Sequence, residues 1–139
     1  MKHNAYALII KDGYFESLLY AFNFAGIAAV SNKKVRIFFM GWAASKLIKG
    51  NMEDIDIPSS IQDQKSEFVE QLKKHKCHNL RELLQIVKSA GDVKIYICTL
   101  AASIWGVNRE NMIPEVDDII GSPNFFLQEA KDAEQILTF

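Results

Sequence analysis

Three short runs, "AYALII" (5–10), "VRIFFM" (35–40) and "VKIYIC" (93–98), are apolar almost without interruption, and each leads into a stretch with helical spacing. A continuous apolar run of that length suits a strand covered on both faces, which is the setting of a parallel sheet. Parallel neighbours need long crossovers, and the intervening segments are long enough to carry helices. In "YFESLLYAFNFAGIAAV" (14–30), Phe15, Leu18, Leu19, Phe22 and Ala29 fall on one stripe of a helix. In "NLRELLQIVKSAG" (79–91), Asn79 stands at a cap position with Glu82 three residues on. Leu80, Leu83, Leu84 and Val87 make the apolar face, and Gly91 stops the helix.

The remaining segments complete the alternation. "WAASKLI" (42–48) reads as a helical turn, and Ser60 with Asp63 starts a helix that turns Phe68, Val69 and Leu72 inward. Residues 50–65 have no apolar period and are punctuated by Pro58, which predicts the most mobile part of the fold. After the third run, "LAASIW" reads as a helix ended by Gly106, and "VDDII" (116–120) as a weaker strand. Ser122 and Pro123 begin a helix over about 123–134, and "ILTF" (136–139) is a short last strand. The order β-α-β-α-α-β-α-β-α-β predicts an α/β fold with a mostly parallel sheet and helices on both faces.

A chain of 139 residues is one domain's worth, so 1–139 is read as a single domain. Hydrophobic residues at 49% and charged residues at 24% are a globular balance. The formal net charge is -1, with no basic block to hold nucleic acid. Two cysteines do not make a disulfide framework, and a reducing cytoplasm is the simpler setting. Met1–Asn4 is followed by a short apolar run that Lys11 and Asp12 stop, unlike a secretory leader. Residues 14–30 include Glu16, Ser17 and Asn23 and make a poor membrane span.

Open parallel sheets gather ligands and reactive groups beyond the carboxyl ends of their strands. Cys98 ends the third run, and "KDGY" (11–14), "GWAA" (41–44) and "GSPN" (121–124) follow the others. Two readings of Cys98 stay open on residue type and position. A thiol before a helix start is favoured as thiolate and is then a nucleophile. A small buried hydrophobe is equally ordinary for cysteine.

Several chemistries are absent. There is no C-x-x-C, no Arg six positions after Cys98 (Ile104 is there), and His3, His75 and His78 lie away from the strand ends. No glycine-rich phosphate motif occurs. "HKCH" (75–78) offers His75, Cys77 and His78, but the spacing fits an exposed helix end better than a compact zinc site. The acidic run "EVDD" (115–118) reads as a solvated approach to a strand. Trp42 and Trp105 both follow strand ends and could roof a site at Cys98. No metal or organic cofactor is expected.

Three stretches carry a resemblance: "VRIFFMGWAASKLIKG" (35–50), "NLRELLQIVKSAGDVKIYICTLAASIWGV" (79–107) and "VDDIIGSPNFFLQEA" (116–130). Through them the chain resembles the DsrE/DsrF-like family of small sulfur-handling proteins, and most closely its stand-alone branch, often labelled peroxiredoxin-like. The resemblance implies a three-layer α/β/α sandwich around a largely parallel five-stranded sheet. It implies that Cys98 matches the strand-end cysteine on which relatives are implicated in carrying sulfur as a persulfide between proteins. The expected function is therefore sulfur relay, a possible sulfurtransferase activity, with sulfur-donor and sulfur-acceptor proteins as partners. Relatives of this branch often have a hydroxyl residue three positions after the cysteine; here Ala101 stands there, and the hydroxyls at hand are Thr99 and Ser103. Some members lack the cysteine, so the alternatives are a non-catalytic assembly subunit or a small-molecule-binding module of the same fold.

The resemblance also implies a homo-oligomer, since relatives form dimers, trimers or hexamers. Tyr20, Phe24 and Ile27 fall on the side of the first helix opposite its core stripe, where an interface is expected.

Overall fold

The computed structural model describes residues 4–139; His3 lies outside them. The three apolar runs are strands β1 (Ala5–Ile10), β2 (Lys34–Phe39) and β3 (Val93–Cys98). With β4 (Asp118–Ile120) and β5 (Ala133–Thr138) they form one five-stranded sheet in the order β4-β3-β2-β1-β5. Every adjacent pair is parallel, so the sheet is wholly rather than mostly parallel. The chain steps outward from β1 to β4, then returns across the sheet to place β5 beside β1.

Successive strand residues point to opposite faces, which tells the two layers apart. On one face Phe39 meets Phe22 of helix α1 (Phe15–Val30), with ring centroids 6.4 Å apart. Helix α3 (Leu80–Ser89) packs beside α1 on that face, with Leu80, Leu84 and Val87 buried. Phe68 of helix α2 (Lys65–Lys74) sits edge-on to Phe15. The side-chain oxygen of Asn79 accepts from the Glu82 amide at 3.1 Å, which is the expected cap of α3. On the other face Phe38 stacks on Phe125, centroids 4.4 Å apart and planes 10° from parallel.

That second layer is thin. The helix read over 123–134 is instead a short turn of α-helix, α5 (Ser122–Asn124), running into a π turn at Phe125–Glu129. The next strand begins at Ala133, earlier than "ILTF" indicates. The physical reason is the partner: Ala133, Gln135, Ile136, Leu137 and Thr138 pair with β1, so the ladder takes residues that local spacing gives to a helix.

Part of the segment expected to be mobile packs against the core. Gly41–Leu47 forms a 3-10 helix whose Lys46 is buried at 4% exposure. Its ammonium bonds the Asp56 carboxylate and the carbonyls of Asn51 and Asp54 at 3.3 Å each. Met52 and Ile57 are buried alongside. The loop thus wraps a buried cation and brings its own acceptors to it. Gly41 opens this helix at φ +55, where a Cβ would come 2.8 Å from the Lys11 carbonyl oxygen; only glycine fits. No helix among the described residues is long and apolar enough to cross a membrane.

Candidate functional site at the end of the third strand

Cys98 is the last residue of β3 and the residue before helix α4 (Thr99–Trp105). It is buried, at 6% exposure, on the Phe125 side of the sheet, since Tyr96 two residues earlier meets Phe125 with centroids 6.2 Å apart. In the ladder it lies opposite Ile120 of β4. The chain then passes through Gly121 and turns into α5, which sets the Ser122 hydroxyl oxygen 3.7 Å from the Cys98 sulfur. That is the outer range of a hydrogen bond to sulfur.

The segment carrying Ser122 is fixed to the sheet at two further points. Phe125 is wholly buried on Phe38, and the Tyr96 hydroxyl donates to a Glu129 carboxylate oxygen at 2.6 Å. Burial and that bond to Glu129 hold the Tyr96 phenol well above its usual titration range, so it stays a donor. On the β4 side the Arg109 guanidinium bonds Asp118 at 2.5 Å and keeps its carboxyl below the usual range. Asp117 accepts from the Ile95 amide at 2.8 Å and pairs with Lys88, which ties the start of β3 to α3.

The other candidates lie elsewhere. Trp42 stands edge-on to Tyr14, centroids 5.0 Å apart, and packs over Gly13 at the end of β1. Trp105 closes α4 at 45% exposure. Of the hydroxyls near Cys98 in sequence, Thr99 and Ser103 are exposed, and Ala101 is buried. His75 turns Nδ1 to the Gln71 carbonyl, and Cys77 turns its sulfur to the Leu72 carbonyl. No group of three or more metal-ligating side chains occurs among the described residues. Two cavities, of about 440 and 470 Å³, lie at the α1–α2 contact (Glu16, Ile57, Phe68) and beside the start of α3 (Met52, Lys73, Arg81).

Sequence reasoning reached Cys98 and missed its neighbour. Ser122 reads in the sequence as a helix start within one of the loops that follow strand ends, with nothing to single it out as the residue that meets Cys98. What joins it to Cys98 is the pairing of β3 with β4, which local spacing does not reveal. Lys46 was also missed; the signal available was the acidic run Glu53, Asp54 and Asp56 that follows it.

The fold is that of the ychN protein from E. coli, whose crystal structure superposes with a TM-score of 0.58 over 97% of this chain and 99% of that one, at 20% identity. At that identity the likeness concerns fold alone. A Methanocaldococcus jannaschii protein, uncharacterized protein MJ0760, is 30% identical over 113 residues, 81% of this chain. The chain spans about a third of that relative's length, 34%. A family model matches residues 5–139, from the first strand to the last residue, and on that match the chain belongs to the DsrE/DsrF-like family.

Proposed function

We propose that this protein is a sulfur-relay protein that carries sulfane sulfur as a persulfide on Cys98 and passes it to a thiol of a partner protein. The observation that carries the reading is the placement of Cys98: the last residue of a central strand, at the carboxyl edge of a parallel sheet, in a chain of this family.

In the first step the Cys98 thiolate attacks the outer sulfur of a donor persulfide, R–S–SH. The donor's S–S bond breaks, R–S⁻ leaves with the electron pair, and Cys98–S–SH forms. In the second an acceptor thiolate attacks the outer sulfur of Cys98–S–SH, and Cys98 leaves as thiolate. Each step exchanges one S–S bond for another, so no oxidant, metal or organic cofactor enters the balance. The reaction suits a reducing compartment, the cytoplasm.

Partner proteins fit better than free thiols because of the helix that follows Cys98. Leu100 and Ile104 on α4 are exposed at 67% and 66%, with Trp105 beside them. Apolar side chains held in water next to a reactive residue offer a docking surface. Copies of the chain associate through a different face, where Ile27, Val30 and Ile86 of α1 and α3 are exposed around an apolar groove.

The test is intact-mass measurement after exposure to a polysulfide. The wild type should gain about 32 Da, one sulfur atom, and Cys98→Ser should not. A gain that survives Cys98→Ser, or appears only on the Cys77 peptide, removes the assignment.

A further inference from the structure

Within the described residues, the Ser122 hydroxyl has one hydrogen-bond partner, and it is the Cys98 sulfur at 3.7 Å. The oxygen is not free to wander. Its segment begins opposite the end of β3, Pro123 fixes the next backbone angle, the Phe125 amide bonds the Gly121 carbonyl at 3.1 Å, and Phe125 and Glu129 anchor to Phe38 and Tyr96. The sulfur is largely out of water, and an anion there is costly unless a donor replaces the lost solvent. Arg109, the cation on the β4 side, is occupied by Asp118. The exposed Thr99 and Ser103 hydroxyls make no bond to the sulfur, and Ala101 has none to give.

We propose that Ser122 is the hydrogen-bond donor to the Cys98 sulfur in its anionic form. The inference rests on the relay reading and adds a second group to it. One hydroxyl then serves both half-reactions. It keeps Cys98 as thiolate before attack on the donor's outer sulfur, and it stabilises the same thiolate as it leaves when the acceptor takes that sulfur. In neither step does Ser122 gain or lose a covalent bond; its O–H proton stays on oxygen. A hydrogen bond that favours thiolate also lowers its intrinsic nucleophilicity, because nucleophilicity falls as thiol acidity rises. Removing the donor should therefore have opposite effects at low and high pH.

The experiment is the pH profile of Cys98 alkylation by iodoacetamide, read on the Cys98 peptide by mass spectrometry so that Cys77 does not contribute. Wild type, Ser122→Ala, Ser122→Gly and Ser122→Thr are compared, with the far-UV spectrum confirming a folded chain. A net hydrogen bond of about 0.5–1.5 kcal/mol corresponds to roughly 2- to 12-fold in the thiolate equilibrium. Because nucleophilicity recovers about half of that logarithmically, Ser122→Ala and Ser122→Gly should be slower by about 1.5- to 4-fold near pH 7 and equal to or faster than wild type on the alkaline plateau, while Ser122→Thr keeps the wild-type profile. Overlapping profiles would overturn the proposal. So would slowing by the same factor at every pH, which is the mark of altered packing. Alkylation needs no sulfur donor, so the two readings fail separately. A chain that takes no sulfur but shows the crossed profiles loses the relay function and keeps the role of Ser122; a chain that takes sulfur with unchanged profiles loses only Ser122.

Discussion

Among the described residues Lys46 is the one charged side chain that the fold buries, and its surroundings explain why it is tolerated. Three acceptors meet its ammonium, two of them backbone carbonyls. Lys46→Met keeps the apolar stem and removes the charge. Asp56 is 44% exposed and can turn to water, so the cost is smaller than for a fully buried pair, about 1–3 kcal/mol. A lowered urea midpoint, with new proteolytic cleavage between residues 50 and 58, is the expected outcome; an unchanged midpoint would show that the loop is held by Met52 and Ile57 alone. Three carboxylates give the fold an acid limit. Asp92 is lowered by its bond to Arg36, and Asp118 by its bond to Arg109. Burial pushes Glu115 up, but bonds from Arg81 and Gln85 outweigh it and leave it lowered. Groups lowered in the folded state bind protons more readily when unfolded. Their stabilisation is present above the unfolded values near pH 4 and is lost as pH falls through the folded ones. Denaturation midpoints should be flat from about pH 7 to 5 and fall below it, less steeply in Arg36→Gln.

The element from Ser122 to Glu129 has the largest bearing on the site, and its hold on the sheet can be loosened at one atom. Tyr96→Phe removes the bond to Glu129 while leaving the ring on Phe125, at a cost of about 1 kcal/mol. Amide exchange over 125–132 should speed up while β3 itself stays protected; equal exchange in both proteins would mean that Phe125 alone holds the segment. The same element shows where the sequence is legible. β1, β2 and β3 are plain because both of their faces are covered along most of their length, so nearly every position is apolar. α1 and α3 are plain because one stripe, Phe15 to Ala29 or Leu80 to Val87, is buried by the sheet. β5 is legible only at its end, where "ILTF" reads as a strand; it is an edge strand, and its Glu134, Gln135 and Ile136 are exposed. At Ala133 and Glu134 local spacing favours helix, and only pairing with β1 decides otherwise. Phe24 was placed on the outer side of α1 by spacing, but Tyr6 from β1 reaches it, centroids 5.8 Å apart, and half buries it. The Cys98–Ser122 contact depends on which strands neighbour each other, and so could not be read from either segment.

At the scale of the molecule the two faces of the sheet are covered unequally, one by long helices and the other by a single short segment. The side chains left in water follow that asymmetry: Phe126, Leu127 and Ile136 on the thin side, and Tyr20, Ile27, Val30 and Ile86 on the outer side of α1 and α3. The groove between α1 and α3, about 310 Å³, is lined by Gly26, Ile27, Leu83 and Val87. Association of copies there predicts that Ile27→Glu with Ile86→Glu lowers the sedimentation coefficient to that of a monomer and leaves the far-UV spectrum intact. Phe24 is unsuitable for this test, since its ring belongs partly to the core. A wild type that is monomeric at high protein concentration would contradict the association.

The relay itself is tested most directly by following one sulfur atom in and out. The protein is loaded with polysulfide, freed of excess reagent, and mixed with a thiol-bearing acceptor protein while both intact masses are recorded. The account predicts that the chain loses about 32 Da as the acceptor gains it, with the loaded sulfur on the Cys98 peptide beforehand and no transfer from Cys98→Ser. Sulfur that stays on Cys98 in the presence of acceptor thiol, or that never loads there, would contradict it.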